Sequence, residues 1–413
     1  MATPAIRILR RKMAGSVFSN TAWRLLFVTF VTMLFGAAPP VEKHRRDLEP
    51  FTPVIPKDLP VRDRPQLTLA DPGTDPLVGF KYLDKGRTLV GGTWNHRLVF
   101  WDARTGKVKA ELKDKGCLIY ASSPDGKLFA NGCGDGTDIR LRDASTLKTV
   151  ATLEGHKGVI IQLKFLPDNR RLLSLGRDGT ARMWDIRTRK QIYSIQWEHV
   201  NVFFPVYDLS PDSTVLATGH DSNLTLWDAR TGKKLREVVA YPVFVVHKIS
   251  FSPDGTHLAC HDNLLSGACV WRVSDLRKVG SPPEYEGFSP SIGTMLRGDR
   301  MVARYAKTML IWNYKTRQIE ARLDAHRSRL LGSKLLVSGD GKRMVSVDYD
   351  GEGYVWDTKT WSPLLKLSGL ECDPGNPVLS PDDQSLAYAA DRAGVAFIYD
   401  ITLPARKPVP RPK

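Results

Sequence analysis

GHKGVIIQLKFLPDNRRLLSLGRDGTARMWDIRTRKQIYSIQ, residues 155–196, decides the fold. A short apolar run, 158–165, leads into the turn Leu166-Pro167-Asp168-Asn169. A second run, 171–175, leads into Arg177-Asp178-Gly179. A third, 180–184, ends on Trp184-Asp185, and after a hairpin an amphipathic run follows at 191–196. Proline fixes φ, and Asp, Asn and Gly tolerate the turn positions that follow it. The stretch therefore reads as four antiparallel strands, with 158–165 innermost and 191–196 outermost. Such a sheet buries little by itself, so copies of it must cover its faces.

Copies are present. The aromatic-acid pair or a relative of it recurs at Trp101-Asp102, Arg142-Asp143, Trp184-Asp185, Trp227-Asp228, Trp271-Arg272, Trp312-Asn313, Trp356-Asp357 and Tyr399-Asp400. Successive second positions lie 41, 42, 43, 44, 41, 44 and 43 residues apart. Turns such as Ser123-Pro124-Asp125-Gly126 and Ser252-Pro253-Asp254-Gly255 run in phase, and 102–107 recurs unchanged as 228–233. Eight units of about 43 residues fill 66–400. The last stops after its third strand, while Gln66-Leu67-Thr68-Leu69 precedes the first and suits an outer strand. The expectation is an all-β, eight-bladed β-propeller of four-stranded antiparallel blades, its N-terminal strand completing the last blade. Seven blades plus one misfit unit is the alternative.

This pattern resembles the WD-repeat (WD40) family over 66–400. The resemblance implies a hydrogen-bonded set of His, Ser, Asp and Trp that pins each blade. The matching residues are His156, Ser174, Asp178 and Trp184 in blade three, and His326, Ser346, Asp350 and Trp356 in blade seven. Blade four keeps His199, Asp221 and Trp227, with Ala217 where Ser would stand. These histidines and acids are structural on this reading, not catalytic and not metal ligands. The family also implies a ring face at the loops between second and third strands. The residue before each turn Asp reads Trp94, Gly134, Arg177, His220, His261, Tyr305, Tyr349 and Ala390. Aromatic residues and Arg are the usual interface anchors. Trp94, Arg177, His220, His261, Tyr305 and Tyr349 are thus the candidate partner-binding residues.

Charge and the chain ends bound the rest. The net charge is +16, but 1–65 contribute +6 and 401–413 contribute +4. The basic character sits in the tails, which speaks against a nucleic-acid partner, since that needs a basic stripe on the folded body. Residues 1–24 hold five basic residues and no acid, followed by the uncharged LLFVTFVTMLFGAA of 25–38. Fourteen apolar residues fall short of the roughly 20 that span a bilayer comfortably. They suit a secretory signal. Pro39 after Gly36-Ala37-Ala38 disfavours cleavage, so an uncleaved anchor and a cytosolic chain remain open, as does a start at Met13. Seven prolines mark 39–65 as a spacer, and 401–413 is a basic Pro-rich tail. Export or membrane anchoring is expected, with no partner-independent oligomer. The five cysteines are too few for a disulfide framework. Cys117 with Cys133, and Cys260 with Cys269, fall on neighbouring strands, as pairs or as buried thiols.

Enzyme signatures are missing. There is no Gly-x-Ser-x-Gly elbow, no phosphate-binding Gly-x-x-x-x-Gly-Lys-Ser/Thr loop and no Cys-x-x-Cys. His257, Cys260, His261 and Cys269 straddle a hairpin and read as strand residues, not a metal site. Arg297-Gly298-Asp299 reads as a turn. Eight-bladed quinone-cofactor dehydrogenases are the competing architecture, but Ala110 and Arg236 stand where their docking Trp would. No catalytic residue, cofactor or metal is assigned. The expected role is a non-catalytic scaffold for a protein or peptide. The alternative is an exported enzyme or small-ligand binder working through the central channel, which titratable groups along that channel would favour.

Overall fold

Each repeat becomes one sheet whose four strands follow in chain order. In blade three they are Ile160–Phe165, Arg171–Gly176, Thr180–Asp185 and Lys190–Gln196. The second strand is buried at nearly every position, whereas the outer one is largely exposed. Neighbouring sheets cover both faces of the middle strands, so period-two alternation disappears there. The computed structural model describes residues 50–403, except 71–75, 94–96, 114–118, 133–136, 197–205, 221, 241–245, 247, 262–266, 285–290, 329, 331–334, 371–376 and 390–394. Eight blades form the ring, as the repeat count predicts. Apolar clusters fill the seams between neighbours, for example Leu224, Leu226, Ile249, Phe251 and Trp271 between blades four and five.

The Ser-Pro-Asp turns are built as their composition predicts. Ser123 Oγ donates to Asp125 Oδ1 at 2.7 Å and accepts Leu128 N–H at 2.9 Å, so the turn closes on side chains. Its fourth residue is left-handed, with φ of 75° at Gly126. Asn169 and Asp383 adopt the same conformation at φ of 56° and 57°. Their side chains account for the exception. Asn169 Oδ1 accepts Asp125 N–H of the preceding blade at 2.9 Å, and Asp383 Oδ2 accepts Gly339 N–H at 2.8 Å.

Ring closure follows the sequence expectation. Leu67–Ala70 pairs antiparallel with Val395–Asp400 and supplies the outer strand of blade eight, with Leu69 fully buried. The preceding residues correct the spacer assignment from Pro50 onward. Phe51 bridges Ala321 on the outer strand of blade six, and its carbonyl accepts Arg322 N–H at 2.9 Å. Val61–Arg62 then pairs parallel with Pro363–Leu367 and adds a fifth strand to blade seven. This strap touches blades six, seven and eight in turn. Prolines suit it, because an outermost strand needs donors on one side only. Among the described residues no helix is long and apolar enough to cross a membrane. The segment read as signal or anchor, 1–38, lies outside the described residues, as does the tail from 404.

Candidate functional site

The loops that would meet a partner rest on buried polar ties. In blade three, His156 Nδ1 lies 3.0 Å from Asp178 Oδ2, and Nε2 lies 2.7 Å from Ser174 Oγ. Trp184 Nε1 donates to the same Oγ at 2.8 Å. A carboxylate only accepts, so Nδ1 carries the proton, Nε2 accepts from the Ser174 hydroxyl, and that oxygen accepts from the indole. Burial by itself would raise the Asp178 carboxyl, but Lys157 N–H, the Thr180 hydroxyl and His156 donate to it and hold it below its ordinary value. Burial pushes the His156 imidazole down, against the pull of Asp178.

Blade seven repeats the set with a different acid. His326 Nε2 lies 2.7 Å from Ser346 Oγ, which accepts Trp356 Nε1 at 2.8 Å. His326 Nδ1, however, meets Asp348 Oδ2 at 3.1 Å, and Asp350 is exposed. The assignment of Asp350 is therefore corrected to Asp348. The reason lies in blade three. Strand register aligns Asp348 with Gly176 and Asp350 with Asp178. A Cβ on Gly176 would sit 2.4 Å from His156 Nδ1 and 2.6 Å from Asp178 Oδ1. Glycine there leaves room for the later carboxylate to reach in. In blade seven, Asp348 fills that room itself.

The same register explains the other blades. The positions equivalent to Ser174 are Gly91, Asn131, Thr218, Cys260, Ala303, Ser346 and Tyr388. Thr218, not Ala217, is the blade-four counterpart, because the following loop is one residue shorter, and Thr218 Oγ1 accepts Trp227 Nε1 at 2.8 Å. Cys260 Sγ accepts Trp271 Nε1 at 3.1 Å, and Cys260 and Cys269 are both buried thiols. In blade two, buried Arg142 replaces Trp and donates through Nε to Asn131 Oδ1 at 2.9 Å. Blade one has Gly91 because a Cβ would come within 2.8 Å of Phe80 and 2.9 Å of Trp101. Replacing Thr218 with Val should cost about 1 kcal/mol, since the Trp227 donor loses its acceptor at constant side-chain volume. Chemical denaturation with an unchanged m-value would register it.

The face candidates separate. Arg177 and Tyr349 occupy equivalent positions and are exposed, Tyr349 at 51%. Each stands directly before the residue that aligns with Asp178, on a loop tied to a buried histidine. Tyr305 is corrected from a face residue to a core residue. It is 6% exposed, belongs to a buried cluster with Ala259, Val270, Met295 and Leu310 of blades five and six, and its hydroxyl donates to the Pro283 carbonyl. His261 is half-buried and pairs with Lys248 and Ala268 across its sheet. Trp94, the His220 side chain, His199 and Asp221 lie outside the described residues. No group of three or more metal-ligating side chains occurs among the described residues. His257 instead packs against the Tyr314 ring.

Comparison with known proteins agrees with the architecture. The profile "WD domain, G-beta repeat" matches residues 147–185 and 192–228. The first match runs from the outer strand of blade two to the third strand of blade three, the same offset that lets 67–70 complete blade eight. "Protein groucho" of Drosophila melanogaster is 35% identical over 116 residues, 27% of this chain and 16% of that protein. "Ribosome biogenesis protein YTM1" of Scheffersomyces stipitis is 28% identical over 149 residues, 34% of this chain and 32% of that protein. "Target of rapamycin complex subunit LST8" of Saccharomyces cerevisiae is 31% identical over 104 residues, 24% of this chain and 34% of that protein. The chain spans about a third or less of the length of these relatives.

Proposed function

We propose that this chain, an eight-bladed propeller built from WD40 repeats, is a non-catalytic scaffold that captures a protein or peptide on the face carrying Arg177 and Tyr349. The observation that carries the reading is the pairing of exposed anchor residues with a buried tie directly beneath them. Arg177 and Tyr349 project from loops whose neighbours, Asp178 and Asp348, are fixed to His156 and His326. A side chain on a fixed loop loses little freedom on binding, which favours its use as an anchor. A relative whose name makes it a complex subunit fits the same role. We further propose that residues 1–38 direct the chain out of the cytoplasm or hold it at a membrane. Subcellular fractionation of the full chain against a 50–413 variant tests that part.

The double variant Arg177→Ala, Tyr349→Ala tests the binding face. With a partner identified by affinity capture and then purified, affinity should fall at least about tenfold, the scale of two lost anchors. The melting temperature should not move, because both side chains point to solvent. Unchanged affinity in a folded double variant overturns the assignment of the face.

A further inference from the structure

Blade one departs from the Ser-Pro-Asp turn, and a cleft lies beside the departure. Register aligns Leu83 and Lys85 with Ser123 and Asp125 of blade two. The hydroxyl and carboxylate that close the blade-two turn are thus replaced by an apolar side chain and a cation. The chain instead turns through Asp84 and Lys85, both left-handed at φ of 48° and 52°, where blade two has only Gly126 in that conformation. Consecutive non-glycine residues of this hand are disfavoured by their Cβ atoms, and such strain collects at ligand sites.

The turn forms one wall of a cleft of about 810 Å³ between blades eight and one. Leu67 of the closing strand, the hairpin at 102–104 and Asp382 of the blade-eight turn form the others. The same hairpin sequence stands at 228–233 in blade four. There the Ala229 carbonyl accepts the hydroxyl of Tyr193, from the outer strand of blade three, at 2.8 Å. Register puts Leu67 in the place of Tyr193. Leucine is shorter and has no hydroxyl to give Ala103, so this seam stays open where the other is filled.

The cleft is lined for an anion. Tyr82 is 9% exposed, and its buried hydroxyl has no hydrogen-bond partner. Phe165 and Phe251 hold the equivalent position in blades three and five, so packing does not require that hydroxyl. Burial, then the Asp382 carboxylate, push its pKa up, which keeps it a donor. Lys85, Arg87 and Arg104 line the same cleft, and among the described residues none of these side chains has a partner. Two of the acids there are spent on their own turns. Asp102 accepts the Thr105 N–H and hydroxyl at 2.8 and 2.9 Å, and Asp382 accepts the Ser380 hydroxyl and Gln384 N–H. Asp84 is the remaining lining acid.

We propose that this cleft binds a small organic anion carrying a phosphate or carboxylate group, which Lys85, Arg87 and Arg104 neutralise and to which the Tyr82 hydroxyl donates. Small-molecule sites span roughly 300–1,000 Å³, and the cleft falls in that range. The guanidinium forks of Arg87 and Arg104 match either group in bidentate fashion. The turn at Asp84 joins first and second strands, whereas the loops of Arg177 and Tyr349 join second and third. The cleft therefore opens on the opposite ring face and does not depend on the proposed binding face.

The test titrates the full chain with glucose 6-phosphate, AMP and citrate at constant ionic strength, read by calorimetry and thermal melting. Glucose and adenosine serve as uncharged counterparts. Saturable binding of at least one anion is expected, with a rise in melting temperature that glucose and adenosine do not produce. Preference for the phosphate esters or for citrate then names the anionic group. Tyr82→Phe should weaken that binding about tenfold, the loss of one hydrogen bond to a charged group. It should leave the ligand-free melting temperature unchanged or higher, because the hydroxyl has no partner to lose. Lys85→Asp should weaken binding at least about tenfold without lowering the ligand-free melting temperature, since Asp stands at this turn position in blade two. Arg104→Gln should weaken binding, whereas Arg230→Gln, the same residue of the same hairpin sequence in blade four, should bind as the parent does. Failure of all three anions to bind saturably overturns the proposal. So does equal weakening by Arg104→Gln and Arg230→Gln, which marks bulk screening, or unchanged affinity in folded Tyr82→Phe and Lys85→Asp.

Discussion

Asp348→Ala should lower stability by about 3 kcal/mol, the scale set by breaking a buried pair from one side. Asp350→Ala, two residues on, should change it by less than about 0.5 kcal/mol. Asp348 and His326 are both shielded from water, and removing the carboxylate leaves the His326 ring N–H without its acceptor. Asp348 also accepts Asp350 N–H at 3.1 Å and Glu352 N–H at 2.9 Å, so the loop beneath Tyr349 loses its anchor as well. Asp350 offers only a solvent-facing carboxylate. Urea denaturation of the two variants decides the matter, and equal losses would restore the acid that spacing alone selects.

The same pair sets an acid limit. Burial would raise the Asp348 carboxyl, but His326, Glu352 N–H and Asp350 N–H more than offset it, so the folded value lies below the ordinary one. A depressed carboxyl stabilises the fold above its unfolded pKa, near 3.9. That stability drains away as pH falls through the lower folded value. His156 acts in the same direction at milder acidity. Its folded imidazole is depressed by burial, so the unfolded chain binds the proton first and stability falls as pH drops through the ordinary histidine range. Asp348→Ala should flatten the low-pH part of the stability curve and leave the histidine part in place.

The periodic features were legible because each is local. Pro-Asp turns, the Trp-Asp spacing and the 102–107 hairpin repeat each report a few adjacent residues, and together they count the blades. The strand at 67–70 was legible because the last unit ends one strand short. Sequence is silent where a role depends on a neighbour in space. Asp348 and Asp350 are the same residue type on one loop, and the signal that separates them, a glycine or a side chain at position 176 of blade three, acquires meaning only from strand register. Ala217 matches the serine position by count from Trp227, but the loop between the two strands is one residue shorter in blade four, so Thr218 takes the role. Tyr305 reads as a surface aromatic until Pro283 is seen to cover it.

Truncation from the N-terminus should produce a step, not a slope. Removal of 1–49 keeps every strand pairing described for the ring, the first of them the Phe51 bridge, and should leave its melting temperature unchanged. Removal of 1–65 takes away the Phe51 bridge and the parallel pairing of Val61–Arg62, two-residue contacts on exposed edges. A fall of a few degrees is expected from that loss. Removal of 1–70 is different in kind. It strips four register pairs from Val395–Asp400 and uncovers Ala396 and Ile398, which are 0% and 2% exposed. Leu69, fully buried, contributes about 1.5–3 kcal/mol of burial by itself. An open, apolar strand edge templates pairing with another chain, so this variant should aggregate or exchange strands into oligomers. A peptide carrying residues 61–72, added during refolding, should restore the monomer by occupying the vacant edge. Monomeric 71–413 as stable as 50–413 would mean that blade eight needs no fourth strand, and the closure of the ring would then rest on the blade-to-blade seams instead.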